Sequence, residues 1–171
     1  MEFQAYMSVK AITQGQLKGE GTGKRKNKWM PVVGFAMGLD SPRNMATGAA
    51  SGRRQYRLVK VVKEWGAASP QLLQCCATNE ILSEVVIEFL RTNAKGEEYV
   101  YQRVTLTNAG IAHVSRFTKG GEVESAAGSG ASSQAETSIP AELEEVEFSF
   151  QKVAVEDLDG GTSFADDWTL E

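Results

Sequence analysis

Residues 51–74 read SGRRQYRLVKVVKEWGAASPQLLQ, and their order decides the fold. Tyr56 to Trp65 is rich in β-branched and aromatic side chains, which suit a pleated, half-buried surface, so a strand is expected there. Gly66-Ala67-Ala68 then breaks it. Ser69 carries the side chain of a helix N-cap, and Pro70 falls at a first-turn position where its missing N–H costs nothing. Leu72, Leu73, Cys76 and Ala77 follow at helical spacing. The stretch predicts a strand, a tight corner and one short helix at about 69–79.

Upstream, Phe3, Ala5, Met7 and Val9 alternate with Gln4, Tyr6, Ser8 and Lys10, the pattern of a half-buried strand. Residues 11–28 are polar and glycine-rich and end in the basic cluster Lys24, Arg25, Lys26 and Lys28. From Trp29 to Leu39 neither face is polar: Trp29, Val33, Phe35, Met37 and Leu39 share one side, and Met30, Val32, Gly34, Ala36 and Gly38 the other. Such a strand is covered by a second layer or lies at a subunit interface. Residues 40–54 follow without periodicity, and structureless loops of that length are usually functional or disordered. This loop carries Arg43, Arg53 and Arg54 and no acid after Asp40, which suits ordering against a partner.

Downstream of the helix, Ile81–Thr92 reads as a strand with Val85, Ile87 and Phe89 inward. Asn93-Ala94-Lys95-Gly96-Glu97-Glu98 turns the chain into a hairpin. Its partner, beginning at Tyr99, is interrupted at Asn108-Ala109-Gly110, as by a bulge that curls a sheet, and resumes through Phe117. Residues 119–140, rich in Gly, Ser, Ala and Glu, predict a flexible connection. Leu143–Val155 reads as the last strand, with Val146, Phe148, Phe150 and Ala154 inward and Glu145, Glu147, Ser149 and Gln151 outward. The acidic tail, residues 158–171, contains two separated aromatics, Phe164 and Trp168. They serve either as anchors on a neighbouring copy or as part of a disordered extension. Together these elements predict an all-β domain over 1–157, a two-sheet barrel or sandwich with one short helix, because closure removes exposed edges.

At 171 residues the chain can bury a sizeable core, and its 42% hydrophobic and 23% charged content is ordinary for a globular protein. It has no apolar run long enough to span a bilayer, and its first residues lack a secretory pattern. Cytoplasmic folding is expected, with any export reading the folded protein. The adjacent Cys75 and Cys76 cannot readily bridge each other and read as small buried hydrophobes. With His113 the only histidine, no metal-ligand cluster assembles, and no cofactor is expected. The net charge of −4 conceals a division: residues 1–118 hold 16 Lys/Arg against 9 Asp/Glu, a balance of +7, and residues 119–171 hold 2 against 13, a balance of −11. An acidic tail, an internal basic–acidic contact or head-to-tail self-association accounts for such asymmetry.

Catalytic chemistry finds no support. Gly19-Glu20-Gly21-Thr22-Gly23-Lys24 lacks the first glycine and the Ser/Thr of a phosphate-binding loop. Residues 128–132, GSGAS, miss the spacing of a nucleophile elbow. Glu144, Glu145 and Glu147 read as solvated carboxylates on an outer strand face. The basic cluster beside Trp29 comes without a base-reading motif, so no nucleic-acid partner is expected.

The run GRRQYRLVKVVKEWGAASPQLLQ resembles the haemolysin-coregulated protein (Hcp) family, tail-tube subunits of bacterial type VI secretion systems. SVKAITQGQLKGE at 8–20, LEEVEFSFQKVAVE at 143–156 and the ending GGTSFADDW extend the likeness over most of residues 3–157. The resemblance implies a β-barrel of two sheets flanked by a helix, a homohexameric ring, and stacking into a hollow tube. That tube is expelled with its spike and small effector proteins when the surrounding sheath contracts. It implies assembly in the bacterial cytoplasm and secretion without a signal peptide or membrane insertion. Alternative readings are a ring-shaped effector carrier or chaperone, or the tube protein of another contractile, phage-tail-like device. On this resemblance the loop 40–54 reaches adjacent subunits and rings through Ser41, Arg43, Asn44, Met45, Ser51, Arg53, Arg54, Gln55 and Tyr56. Trp29, Val32, Val33 and Phe35 would form a ring interface. Glu145, Glu147, Asp166 and Asp167 would be acidic partners for the loop arginines, and Phe164 and Trp168 tail anchors.

Overall fold

The structure, a computed structural model, describes residues 4–21, 27–118 and 142–169. Phe3, Lys24, Arg25, Lys26 and the 119–140 connection lie outside the described residues. The strands are β1 (Gln4–Ala11), β2 (Gly15–Gln16), β3 (Met30–Val32), β4 (Gly34–Ala36), β5 (Leu39–Asp40), β6 (Gln55–Tyr56), β7 (Val59–Glu64), β8 (Leu82–Thr92), β9 (Glu98–Thr118), β10 (Glu142–Ser149), β11 (Lys152–Asp157) and β12 (Thr162–Asp167). A single helix among the described residues, α1 (Ser69–Ala77), lies between β7 and β8.

The expected all-β architecture is present, and β9 organises it. Its first half pairs antiparallel with β8 on one side and β11 on the other, and its second half pairs with β10. One layer therefore runs β2-β1-β8-β9-β11-β12, with β3 also on β1, and the other runs β9-β10-β7-β4. The strand changes layers at Asn108, whose φ of 49° places it in the left-handed region that Asn tolerates better than most side chains. This is the interruption expected at 108–110. The β8–β9 hairpin likewise turns where expected, with Gly96 at φ 80°.

Alternating residues of both layers meet in one core. Met7, Val9, Val85, Ile87 and Leu106 come from the first layer, Val59, Val61, Val146 and Phe148 from the second, and Leu72 and Cys75 from α1. Phe35 of β4 packs edge-on against Phe89 of β8 at 5.0 Å between ring centres, closing the layers against each other. Burying one such side chain contributes roughly 1.5–3 kcal/mol.

Several expectations need correction. The Trp29–Leu39 strand is three short ones. Met30 and Val32 face the core from β3, paired with β1, whereas Phe35 faces it from β4, paired with β7. The chain crosses between layers at Val33 and the alternation slips by one residue, so Val32 is a core residue at 4% exposure, not an interface one. The last strand also divides. After Phe150 the chain leaves β10 for β11 in the other layer, and Val153, not Ala154, is the fully buried side chain. Tyr56–Trp65 separates into β6 and β7. Ser69 is the first helical residue and no cap: Ala68 caps α1 without a side-chain bond. The Ser69 hydroxyl instead accepts from the Gly66 N–H (2.9 Å) and donates to Glu144 (2.7 Å).

A projecting finger and its root, the candidate assembly surface

Residues 40–54, read as structureless, form a two-stranded finger. At its base β5 pairs with β6 through Leu39–Tyr56 and Asp40–Gln55. The Arg57 N–H donates to the Gly38 carbonyl (2.9 Å), and the Arg57 guanidinium bonds Asp40 (3.0 Å). Further out, Arg43 and Ala50 are bridged, and the Ser51 N–H donates to the Pro42 carbonyl. At the tip the Asn44 carboxamide accepts from the Ala46 and Thr47 N–H groups (2.9 and 3.2 Å), and Gly48 turns the chain with φ 73°. This Asx-type turn lets a short side chain satisfy backbone donors that no ladder reaches.

Out to its tip the finger is held by hydrogen bonds between its own residues, and it buries little. Ser41, Arg43, Asn44, Met45, Ser51 and Arg53 are exposed, and Met45 at the tip is 99% exposed. Nearby β3–β7 segments leave Val33, Leu39 and Leu58 between 42% and 47% exposed. Trp29 and Phe35 are half-buried.

The root is different. The Arg54 guanidinium donates twice to Asp166 on β12 (2.5 and 2.9 Å), and the Tyr56 hydroxyl donates to the same carboxylate (2.6 Å). Arg53 donates to the Trp168 carbonyl (2.9 Å). Tyr56 stands edge-on to the buried Phe150, 5.2 Å between ring centres, and the Trp168 indole N–H bonds the Phe150 carbonyl. A cleft of about 490 Å³ opens beside these side chains, between the finger root and the tail. Charge accounts for how the groups titrate. The Arg54 bond, then the Tyr56 bond, hold Asp166 below its ordinary value. Desolvation, then the bond to Asp166, push the Tyr56 phenol up to about 12.

The structure thus brings Arg54, Gln55, Tyr56, Asp166, Asp167 and Trp168 together within one chain. Among its described residues, 158–169, the tail forms a strand. β12 pairs with β11 from Lys152–Asp167 to Asp157–Thr162. Phe164 lies opposite Val155 and is 46% exposed. The other two acids lie on β10. Glu145 pairs with Lys60 (3.2 Å), and Glu147 stands between Lys60 and His113 in the strand register.

Sequence reasoning missed a second cluster. Glu144, read as solvated, is 0% exposed and bonds Lys63 (2.5 Å), itself 3% exposed. Its second oxygen lies 3.5 Å from Arg116, whose guanidinium stacks over Trp65 at 4.2 Å. Lys63 falls in phase with the core residues Val59 and Val61, and a lysine at such a position signals a buried partner. Among the described residues no group of three or more His, Cys, Asp or Glu is placed to hold a metal ion, and no helix is long and apolar enough to cross a membrane.

The fold and the finger define a class, the two-layered β-barrel with a projecting hairpin. Two solved structures share the fold: an Hcp protein (TM-score 0.81, 19% identity, 98% of each chain) and the secreted protein Hcp3 from Pseudomonas aeruginosa (TM-score 0.73, 24% identity, 98% of this chain and 99% of that one). A curated relative, the major exported protein of Pseudomonas aeruginosa, is 27% identical over 98% of this chain and 96% of its own length. Residues 6–156 match the family described as type VI secretion system effector, Hcp, and the chain belongs to that family. Membership places it among structural proteins of type VI secretion rather than among enzymes.

Proposed function

We propose that this chain is the subunit of a type VI secretion inner tube: six copies close into a ring, and rings stack head to tail through the finger. The observation that carries the reading is the finger. A hairpin ordered by its own hydrogen bonds, bearing an apolar side chain 99% exposed at its tip, is built to be covered by another surface. Val33, Leu39 and Leu58 supply further exposed apolar surface for contacts within the ring, where heterologous contacts close when the rotation permits. Arg43 and Met45 then meet the adjacent ring. The exposed Phe164 offers an apolar contact to a neighbouring copy. A spike at the tube tip, the sheath around it and small effectors in its lumen are the partners of this reading. Assembly in the cytoplasm precedes export in this reading, and the name of the curated relative, major exported protein, supports the export step alone.

Light scattering with negative-stain microscopy tests the proposal. Rings near six times 18.5 kDa are expected, some of them stacked. A uniform monomer at high concentration would sink the tube-subunit reading. Met45→Asp should keep the ring mass and shorten or abolish the stacks. Stacks of undiminished length would remove the finger tip from the interface.

A further inference from the structure

We infer that Asp166 is the positioning residue of the finger, and that the C-terminal strand β12 works as a latch fixing the direction in which the finger projects. The finger joins the barrel through two chain connections, and its own strands are tied to each other only by the pairs Leu39–Tyr56 and Asp40–Gln55 and the bridge Arg43–Ala50. Isolated two-stranded hairpins are marginal in water, and such a ladder does not set an angle against the rest of the molecule. The side-chain pair within the finger, Arg57–Asp40, is 72% and 53% exposed, in the range where pairs contribute little, and Arg53, itself exposed, adds a single bond to the Trp168 carbonyl.

Asp166 supplies what these lack. Its carboxylate takes the fork of Arg54 and the hydroxyl of Tyr56, which leave the finger's returning strand two residues apart. A bidentate guanidinium–carboxylate pair fixes orientation as well as distance. Tyr56 rests on Phe150, 6% exposed, so one continuous path of contacts runs from the core through Phe150 and Tyr56 to Asp166 and Arg54. The latch is itself secured. β12 is paired with β11 along its length, Asp166 lies opposite the fully buried Val153, and the Trp168 indole bonds the Phe150 carbonyl. The C-terminal segment thus acts on the finger from inside the same chain. Its consequence for stacking rests on the tube-subunit reading, because ring stacking requires every finger to project at one angle.

Hydrogen exchange on the full-length protein, with scattering and microscopy alongside, separates the two ideas. Asp166→Asn keeps the size of the side chain and removes its charge. Amides of residues 39–56 should exchange about tenfold faster, about 1.4 kcal/mol of local opening, while those of β8 keep their protection. Arg54→Lys keeps the charge and loses the fork, and should raise exchange in the same residues by less. Unchanged finger exchange in both variants overturns the latch, whatever the oligomeric state. In assembled protein, Asp166→Asn should leave ring mass intact and shorten stacks, a split that general loss of structure does not produce. Loosened fingers with full-length stacks would overturn the positioning role. Absence of rings in the unsubstituted protein would count against the tube-subunit reading and leave the exchange result to decide the latch.

Discussion

Glu144 shows what one buried carboxylate does in this fold. It sits at 0% exposure where β10, β7 and the start of α1 converge, bonded by Lys63 and by the Ser69 hydroxyl, with Arg116 at 3.5 Å from its other oxygen. Removing one member of a buried pair leaves a charge without compensation, at a cost of roughly 3–5 kcal/mol. Glu144→Gln should therefore lower the urea midpoint strongly. Lys63→Met with Glu144→Leu should recover much of the loss, because an apolar pair strands no charge. A double variant as unstable as the single would show that Ser69 and Arg116 depend on the carboxylate itself. The pair was legible only in half: Lys63 stood in phase with Val59 and Val61, but its partner lies in a strand remote in sequence. The finger root titrates in a defined window. Asp166 faces Arg54 and Tyr56, and its lowered value means that its contribution is present above the ordinary carboxyl value of 3.8 and lost as pH falls through the folded value. Tyr56 has the opposite sign: its raised value favours the neutral phenol, so its contribution is full below 10.0 and lost as pH rises towards about 12. Finger protection, corrected for intrinsic exchange, should be flat from about pH 5 to about pH 9 and fall at both ends. A steady slope across the middle would point to another titrating group.

At the scale of elements, the strands were legible wherever alternation ran within one layer. β1 buries Ala5, Met7 and Val9, and β8 buries Val85, Ile87 and Phe89, all as their spacing demands. Alternation failed at Val33 and at Phe150–Gln151, two of the places where the chain changes layers, because such a chain restarts its phase and period-two reasoning assumes one sheet. The finger was illegible for a related reason. Both faces of a projecting hairpin meet solvent, so no apolar alternation is required of it, and its order comes from Asn44 and Gly48 instead. That assignment carries a local prediction. Gly48→Val places a β-branched residue at φ 73°, where strain of order 1–3 kcal/mol is expected. Proteolysis within residues 44–50 should accelerate while the thermal midpoint of the barrel stays within a degree or two, because the tip contributes nothing to the core. A lowered midpoint would mean that the finger and barrel unfold as one unit.

Across the whole molecule, part of the charge division of the sequence is matched by ion pairs among the described residues. Arg54–Asp166, Lys60–Glu145, Lys63–Glu144, Arg91–Asp159, Arg103–Glu156 and Arg116–Glu144 each join the basic first part of the chain to its acidic last part. Of the three origins the asymmetry allowed, an internal contact is the one these pairs realise; β10 and β11 are held to β7 and β9 by charge as well as by backbone pairing, and β12, paired only with β11, reaches the first part of the chain through Arg54–Asp166. The pairs differ in burial, and this makes their worth separable. Arg91–Asp159 spans 3.8 Å with side chains 45% and 46% exposed, whereas Lys63–Glu144 is 3% and 0% exposed. At about 1 M salt the screening length falls to about 3 Å, which removes most of the attraction between exposed charges and little of that between buried ones. Raising salt from about 50 mM to about 1 M should therefore abolish the small stability difference between the unsubstituted protein and Arg91→Gln, expected at about 0–1 kcal/mol. The deficit of Glu144→Gln should survive the same change nearly intact. If both deficits shrank together, water would have to reach the Glu144 site in the folded protein, and the junction of α1 with β7 and β10 would be looser than its burial indicates.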